Sequence, residues 1–200
     1  MRKKIVNLDI TNKCSNFCPG CMRQTSFKNK NIPGGDISIE NMKKIANYFD
    51  EIMFCGQSSD PIMHDDFLSI LKCCIDKKVT IYTSATPKPK EYYVKLFELS
   101  SQYNFTWIFG LDGIPKKTNP YRINQNGILL FDIMKMGVHL GVDVVWSLIY
   151  FNFNENEIDA CIELAKKYDI KFTTAKSSRW FGELKKFKPK NKNYYLESLY

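Results

Sequence analysis

The chain has 200 residues, 44% of them hydrophobic, and a formal net charge of +8. That length and apolar content suffice for one domain with a sizeable core, and no apolar stretch approaches the ~20 residues needed to span a bilayer. Seven cysteines, an odd number, argue against a disulfide framework, and with no signal-peptide-like opening segment a reducing cytoplasm is the expected compartment.

The positive excess gathers in Arg2, Lys3 and Lys4, in Lys28 and Lys30, and in Lys185, Lys186, Lys188, Lys190 and Lys192. Runs of this kind are usually solvated faces. They leave an acidic peptide or a nucleic acid open as partner without arguing for either.

In chain order, short β-like runs alternate with helical patterns. The first strand is expected over about residues 4–10, with Ile5, Val6, Leu8 and Ile10. A cysteine-bearing loop and a Pro33-Gly34-Gly35 turn follow. Ser38 fits the N-cap of a helix to about residue 50, whose apolar face carries Ile39, Met42, Ile45, Ala46 and Phe49. Residues 52–55 read as a second strand, and Asp65 or Asp66 opens a helix through Phe67, Ile70, Leu71 and Cys74. A third strand over 79–83 precedes a helix at about 90–102. A fourth over 105–111 precedes one at about 125–136. A fifth spans 142–150, Asn154 is expected to cap a helix to about 168, and the sixth strand covers 170–174.

Six such βα units predict an α/β domain with a parallel sheet and helices outside it, because parallel neighbours need crossover connections. The chain falls short of the ~250 residues of a closed eight-unit barrel. An open partial (β/α)6 barrel over residues 1–182 fits the count. From 183 to 200 the pattern decays into a basic, Tyr-rich C-terminal tail. It reads either as partly ordered chain or as a short terminal helix through Tyr194, Tyr195, Leu196 and Leu199.

In parallel sheets of this kind, ligands sit at the C-terminal strand ends. Directly after the first strand come Cys14, Cys18 and Cys21, spaced C-x3-C-x2-C. A helical face is disfavoured by Pro19 and Gly20. A structural zinc normally takes four ligands, for which Cys55 and His64 are the distant candidates. Three thiolates on one short loop can instead hold three irons of a [4Fe–4S] cluster and leave the fourth iron free. The second strand ends in Gly56-Gln57-Ser58-Ser59-Asp60-Pro61, small and polar residues that let backbone approach a ligand. The third ends in Thr83-Ser84-Ala85, and the fourth in Gly110-Leu111-Asp112-Gly113, with Thr118-Asn119-Pro120-Tyr121-Arg122 beyond it. On the fifth, alternation points Ser147 inward. Lys176, Ser177, Ser178 and Arg179 follow the sixth.

Over about residues 5–175 these segments resemble the radical S-adenosylmethionine (SAM) superfamily. The resemblance implies that Cys14, Cys18 and Cys21 ligate a [4Fe–4S] cluster whose free iron is chelated by SAM. An electron from a donor such as flavodoxin or ferredoxin would then cleave SAM to a 5′-deoxyadenosyl radical, which takes hydrogen from a peptide or small-molecule substrate. It places Gly56, Gln57, Ser58 and Asp60 in the variant of the family's Gly-Gly-Glu-Pro segment that binds SAM. Ser84, Asp112 and Ser147, with Phe17 and Gly20 of the cysteine loop, complete the expected SAM site. Two departures stand out: Gly20 occupies the place of a usual aromatic, and Gly110 that of a hydroxyl residue. The fourth-strand turn with Tyr121 and Arg122 resembles the peptide-maturing branch, which favours a peptide substrate. Glycyl-radical activases and deazapurine-type nucleotide enzymes share the size, and a zinc-binding interaction module is the rival from another class. Only Cys161 lies beyond residue 74, so no auxiliary cluster is expected. Arg122, Lys176 and Arg179 are the charges expected nearest the mouth.

Overall fold

In the computed structural model, which describes residues 3–84, 86–117 and 119–197, six strands form a single sheet. They are β1 (Ile5–Leu8), β2 (Glu51–Cys55), β3 (Lys78–Thr83), β4 (Phe105–Gly110), β5 (Asp143–Ile149) and β6 (Lys171–Ala175). Their order in the sheet is the order in the chain, and every neighbouring pair is parallel. The connections carry α1 (Met22–Thr25), α2 (Ile39–Tyr48), α3 (Phe67–Lys72), α4 (Lys90–Ser100), α5 (Gly127–His139) and α6 (Ile158–Lys167). This is the open α/β partial barrel that the alternating pattern predicts.

Period-two alternation decides which face is core. Ile52 and Phe54, Val79 and Ile81, Phe105, Trp107 and Phe109, and Val144, Trp146 and Leu148 are buried under the helices. Edge-on aromatic contacts lock that layer, with Phe67 and Phe97 against Trp107 and Phe131 against Trp146. The intervening residues, among them Met53, Cys55, Thr80, Tyr82, Ile108 and Ser147, are only half-buried on the inner face.

Three local expectations need correction. β1 ends at Leu8 rather than near residue 10, because Asp9 leaves the ladder to accept from Gln57 N (3.1 Å) and Ser59 Oγ (2.5 Å). Asn154 does not cap α6. Its amide closes the turn after β5, accepting from Phe151 N (2.8 Å) and donating to Ile149 O (2.8 Å), so the helix starts a turn later. No terminal α-helix forms among the described residues. Lys192–Tyr194 is a single 3₁₀ turn, Tyr194 stacks on Tyr150 at 4.3 Å, and Tyr195 bridges to Ser177. Ser38 does cap α2, accepting from Asn41 N (3.2 Å).

The basic C-terminal segment carries apolar residues that the lysines disguise. A 3₁₀ turn, Gly182–Phe187, buries Leu184 and Phe187. With Tyr121, Phe151 and Trp180 they form a second apolar cluster, against which Cys18 packs. Arg2, Ala85, Thr118 and Leu199, singled out in the sequence, lie outside the described residues. No described helix is long and apolar enough to cross a membrane.

Candidate active site at the strand ends

The cysteine loop leaves β1 and crosses the C-terminal ends of the neighbouring strands. Cys21 N donates to Cys18 O (3.0 Å), and Cys21 opens α1. The Cys21 thiol lies 3.6 Å from Gln57 O, which joins this loop to the one after β2. All three thiols are free and half-buried. Burial pushes the Cys14 thiol up to about 12, with the Asp60 carboxylate and the other two cysteines adding to the effect. Burial pushes Cys18 up to about 11, against a pull from the Arg122 guanidinium. Cys14 and Cys18 are therefore held toward the neutral thiol by burial, and their thiolates form more readily beside a positive partner.

An iron–sulfur group meets that demand, and three soft sulfurs without a carboxylate or imidazole are the donor set it takes. Among the described residues no three His, Cys, Asp or Glu side chains converge on one point as a single ion requires. A cube asks for something else, since each thiolate binds its own iron. His64, a candidate fourth ligand for zinc, is buried, with its ring nitrogens 3.0 Å from Ile37 O and 3.0 Å from Asp66 N. Cys55 stands at the end of β2, where burial raises its thiol pKa and the Asn7 side chain works against that rise.

Beside the loop lies a cavity of about 250 Å³ bounded by the ends of β2 to β6. Gly56, Asp60, Ser84 and Ser147, all expected site residues, line it together with Ser59, Tyr82, Gly110 and Arg122. Gln57 and Ser58 do not line it. The Gln57 backbone amide donates to Asp9 (3.1 Å), and the Ser58 carbonyl accepts from Arg23 Nη1 (3.2 Å). Ser59 takes their place. Glycine at 56 also has a reason that is independent of any ligand. A Cβ there would stand 1.7 Å from Ser59 O, so the loop's own closure, before any ligand, demands glycine. Asp60 is buried and already engaged, accepting from Thr83 Oγ1 (2.8 Å), Ser84 N (2.9 Å) and Ile62 N (3.3 Å).

Asp112 does not face this cavity. It is buried and accepts from Arg122 Nε (2.5 Å) and Ile149 N (2.8 Å), so it presents Arg122 rather than itself. Burial works against the Arg122 charge, but Asp112 outweighs it and raises the guanidinium pKa overall. The two sequence departures then have steric causes. A Cβ at Gly110 would lie 2.9 Å from Arg122 Nη2, so the guanidinium occupies the space of the missing hydroxyl. A Cβ at Gly20 would lie 2.4 Å from Tyr121 Oη and 3.2 Å from Leu184 Cδ1, so no aromatic fits there. Phe17 and Gly20 are not among the residues lining the cavity. Phe17 is exposed on the rim, paired with Ile123, and Gly20 O accepts from Arg179 Nη1 (3.3 Å). Lys176 is exposed.

Sequence reasoning passed over Asp9, Asn16, Arg23 and Gln125. Three sit on loops and Arg23 in the one-turn α1; each partners backbone from a distant segment, and no motif marks such a residue in advance.

Comparison with known proteins bears on the fold. No protein-family model matches the chain, and no curated protein sequence matches it. Among solved structures it is similar to Streptococcus suis SuiB bound to S-adenosylmethionine. The TM-score is 0.71 at 15% identity, over 94% of this chain and 44% of that one. It is also similar to native anSMEcpe with bound AdoMet, with a TM-score of 0.62 at 15% identity, over 96% and 56%. The same protein with AdoMet and the Cp18Cys peptide gives 0.61 at 12%, over 85% and 50%. The chain thus spans about half the length of these structures. Each of these structures holds S-adenosylmethionine, and this chain shares their fold.

Proposed function

We propose that the chain is the core of a radical SAM enzyme. In this reading Cys14, Cys18 and Cys21 hold a [4Fe–4S] cluster, and SAM occupies the cavity at the ends of β2 to β6. The observation that carries it is the pairing of a three-thiol loop with a polar cavity beside it, on a fold shared with AdoMet-bound proteins. When bound, such a cluster supplies the electron that splits a carbon–sulfur bond of SAM.

The residues lining the cavity suit a zwitterionic nucleoside ligand. Arg122, fixed by Asp112, offers a cation to a carboxylate, and charge-assisted bonds of this kind are the strong ones. Asp60 adds a buried carboxylate to the lining, of the sign that suits an ammonium group. Ser59 and Ser147 add hydroxyls, while Tyr82 and Ile108 form a wall that limits water. The open side of the sheet leaves access for a peptide, and the peptide-bound anSMEcpe neighbour supports that substrate class. An acidic flavodoxin- or ferredoxin-like donor suits a basic chain.

The test is anaerobic reconstitution followed by metal and sulfide analysis. The reading expects iron and sulfide in equal amounts and 5′-deoxyadenosine on adding SAM and reductant. Zinc without sulfide, and no SAM cleavage, would establish the interaction-module reading instead.

A further inference from the structure

Ser84, at the end of β3, sits where three loops meet. Its carbonyl accepts from Asn16 Nδ2 (2.9 Å) and from Gln125 Nε2 (2.7 Å), and its amide donates to Asp60 (2.9 Å). Gln125 Nε2 reaches Gly110 O as well (2.8 Å), tying the ends of β3 and β4 together. Just upstream of Gln125, Ile123 O accepts from Phe17 N (2.9 Å) and Asn124 Nδ2 donates to Ser15 O (3.3 Å). The three residues between Cys14 and Cys18 are therefore each held from outside the loop, and no thiol takes part.

The orientation of both amides follows from their partners. Turning either over would set its oxygen against a backbone carbonyl, so the observed placement is the one the network permits. Asn16 is 6% exposed, and its Oδ1, like Gln125 Oε1, meets no donor among the described residues. Their grip thus rests on the N–H side alone, at a buried place where losing a bond leaves carbonyls unsatisfied.

We propose that residues 123–125 act as a splint. With Asn16 and Gln125 as positioning residues, it holds Cys14 and Cys18 in ligand-ready places before any metal arrives. The benefit to the cysteines rests on reading them as cluster ligands, but the splint itself is a property of the metal-free chain. A loop ordered in advance loses less conformational freedom on binding, so uptake is faster and tighter.

The experiment uses metal-free protein and iodoacetamide, with mass spectrometry following each cysteine separately. Asn16→Leu and Gln125→Met keep approximate size and remove the donor facing Ser84 O without adding a carboxylate, which would raise the thiol pKa and slow alkylation. Cys14 and Cys18 should be alkylated at least tenfold faster in both variants, while buried Cys161 keeps its wild-type rate. Rates at Cys14 and Cys18 within twofold of wild type would overturn the proposal. If Asn16→Leu also accelerates Cys161, the whole fold has loosened, and Gln125→Met at its half-buried site decides alone. Iron uptake gives a second readout, with slower uptake to the same final content expected. A wild-type chain that takes up no iron would remove the ligand reading, and the alkylation rates would still judge the splint.

Discussion

The two ends of the sheet use acid–base pairs in opposite ways. At the N-terminal strand ends Glu51 pairs with Lys3 and Lys78 (3.0 Å each), and Asp143 pairs with Lys171 (2.6 Å). Those lysine side chains are 70%, 52% and 68% exposed. At the C-terminal ends Asp112 and Arg122 form a pair with 0% and 13% side-chain exposure, and Asp60, Asn16 and Ser84 form a hydrogen-bonded node around the cysteine loop. Exposed pairs contribute about 0–1 kcal/mol, whereas breaking one partner of a buried pair costs about 3–5 kcal/mol. The lower end tolerates change, and the upper end fixes geometry.

Substitutions that break this contrast should rank accordingly. Asp112→Ala leaves the Arg122 charge unpaired and should destabilise the fold by about 3–5 kcal/mol in denaturant unfolding. A loss below about 1 kcal/mol would mean that the pair behaves as a surface one. Asp60→Ala strips the acceptor from Ser84 N and Thr83 Oγ1. It should cost about 1–3 kcal/mol and loosen the end of β3, read as faster amide exchange at Ser84. Gly56→Val should disturb the loop before any ligand binds, because its side chain meets Ser59 O, so its thermal midpoint should fall even in metal-free protein.

Acid stability sharpens the same contrast at Asp36. Burial opposes its charge, but Thr11 Oγ1 (2.6 Å) and Lys13 Nζ (3.0 Å) outweigh burial and bring its pKa down to about 2. A carboxylate lowered on folding stabilises fully above its ordinary value of 3.8, and that contribution is lost as pH falls through about 2. Asp36→Asn should flatten the stability profile in this window only, in denaturation series from pH 2 to 7. Smallest of all, Glu51→Gln at the lower end should change stability by no more than about 1 kcal/mol.

Much of the fold was legible in the sequence because burial on one sheet face writes a period of two, and the helices between strands write a period near four. The polar end of β2 was legible as cavity lining for a similar reason, since Gly56 and Asp60 are residue types that suit an exposed strand end rather than a core. What escaped was pairing at a distance. Gly20 and Gly110 look like lost functional residues in one dimension. In three, Tyr121, Leu184 and the Arg122 guanidinium fill their places. Asp112 reads as a ligand contact until its partner is seen. Leu184 and Phe187 were hidden among lysines, because their burial depends on where residues 121 and 151 lie. Asn16 and Gln125 are ordinary loop amides until both meet Ser84 O.

The central claim is that the upper end of this sheet is built around a cluster-bearing cysteine loop. It is tested most directly by measuring iron, sulfide and reductant-dependent 5′-deoxyadenosine for wild type and Cys18→Ala, reconstituted side by side without oxygen. The account predicts equal iron and sulfide with SAM cleavage in the wild type, and loss of both cluster and cleavage in the variant. A Cys18→Ala protein that keeps its full iron and sulfide and still cleaves SAM would contradict it.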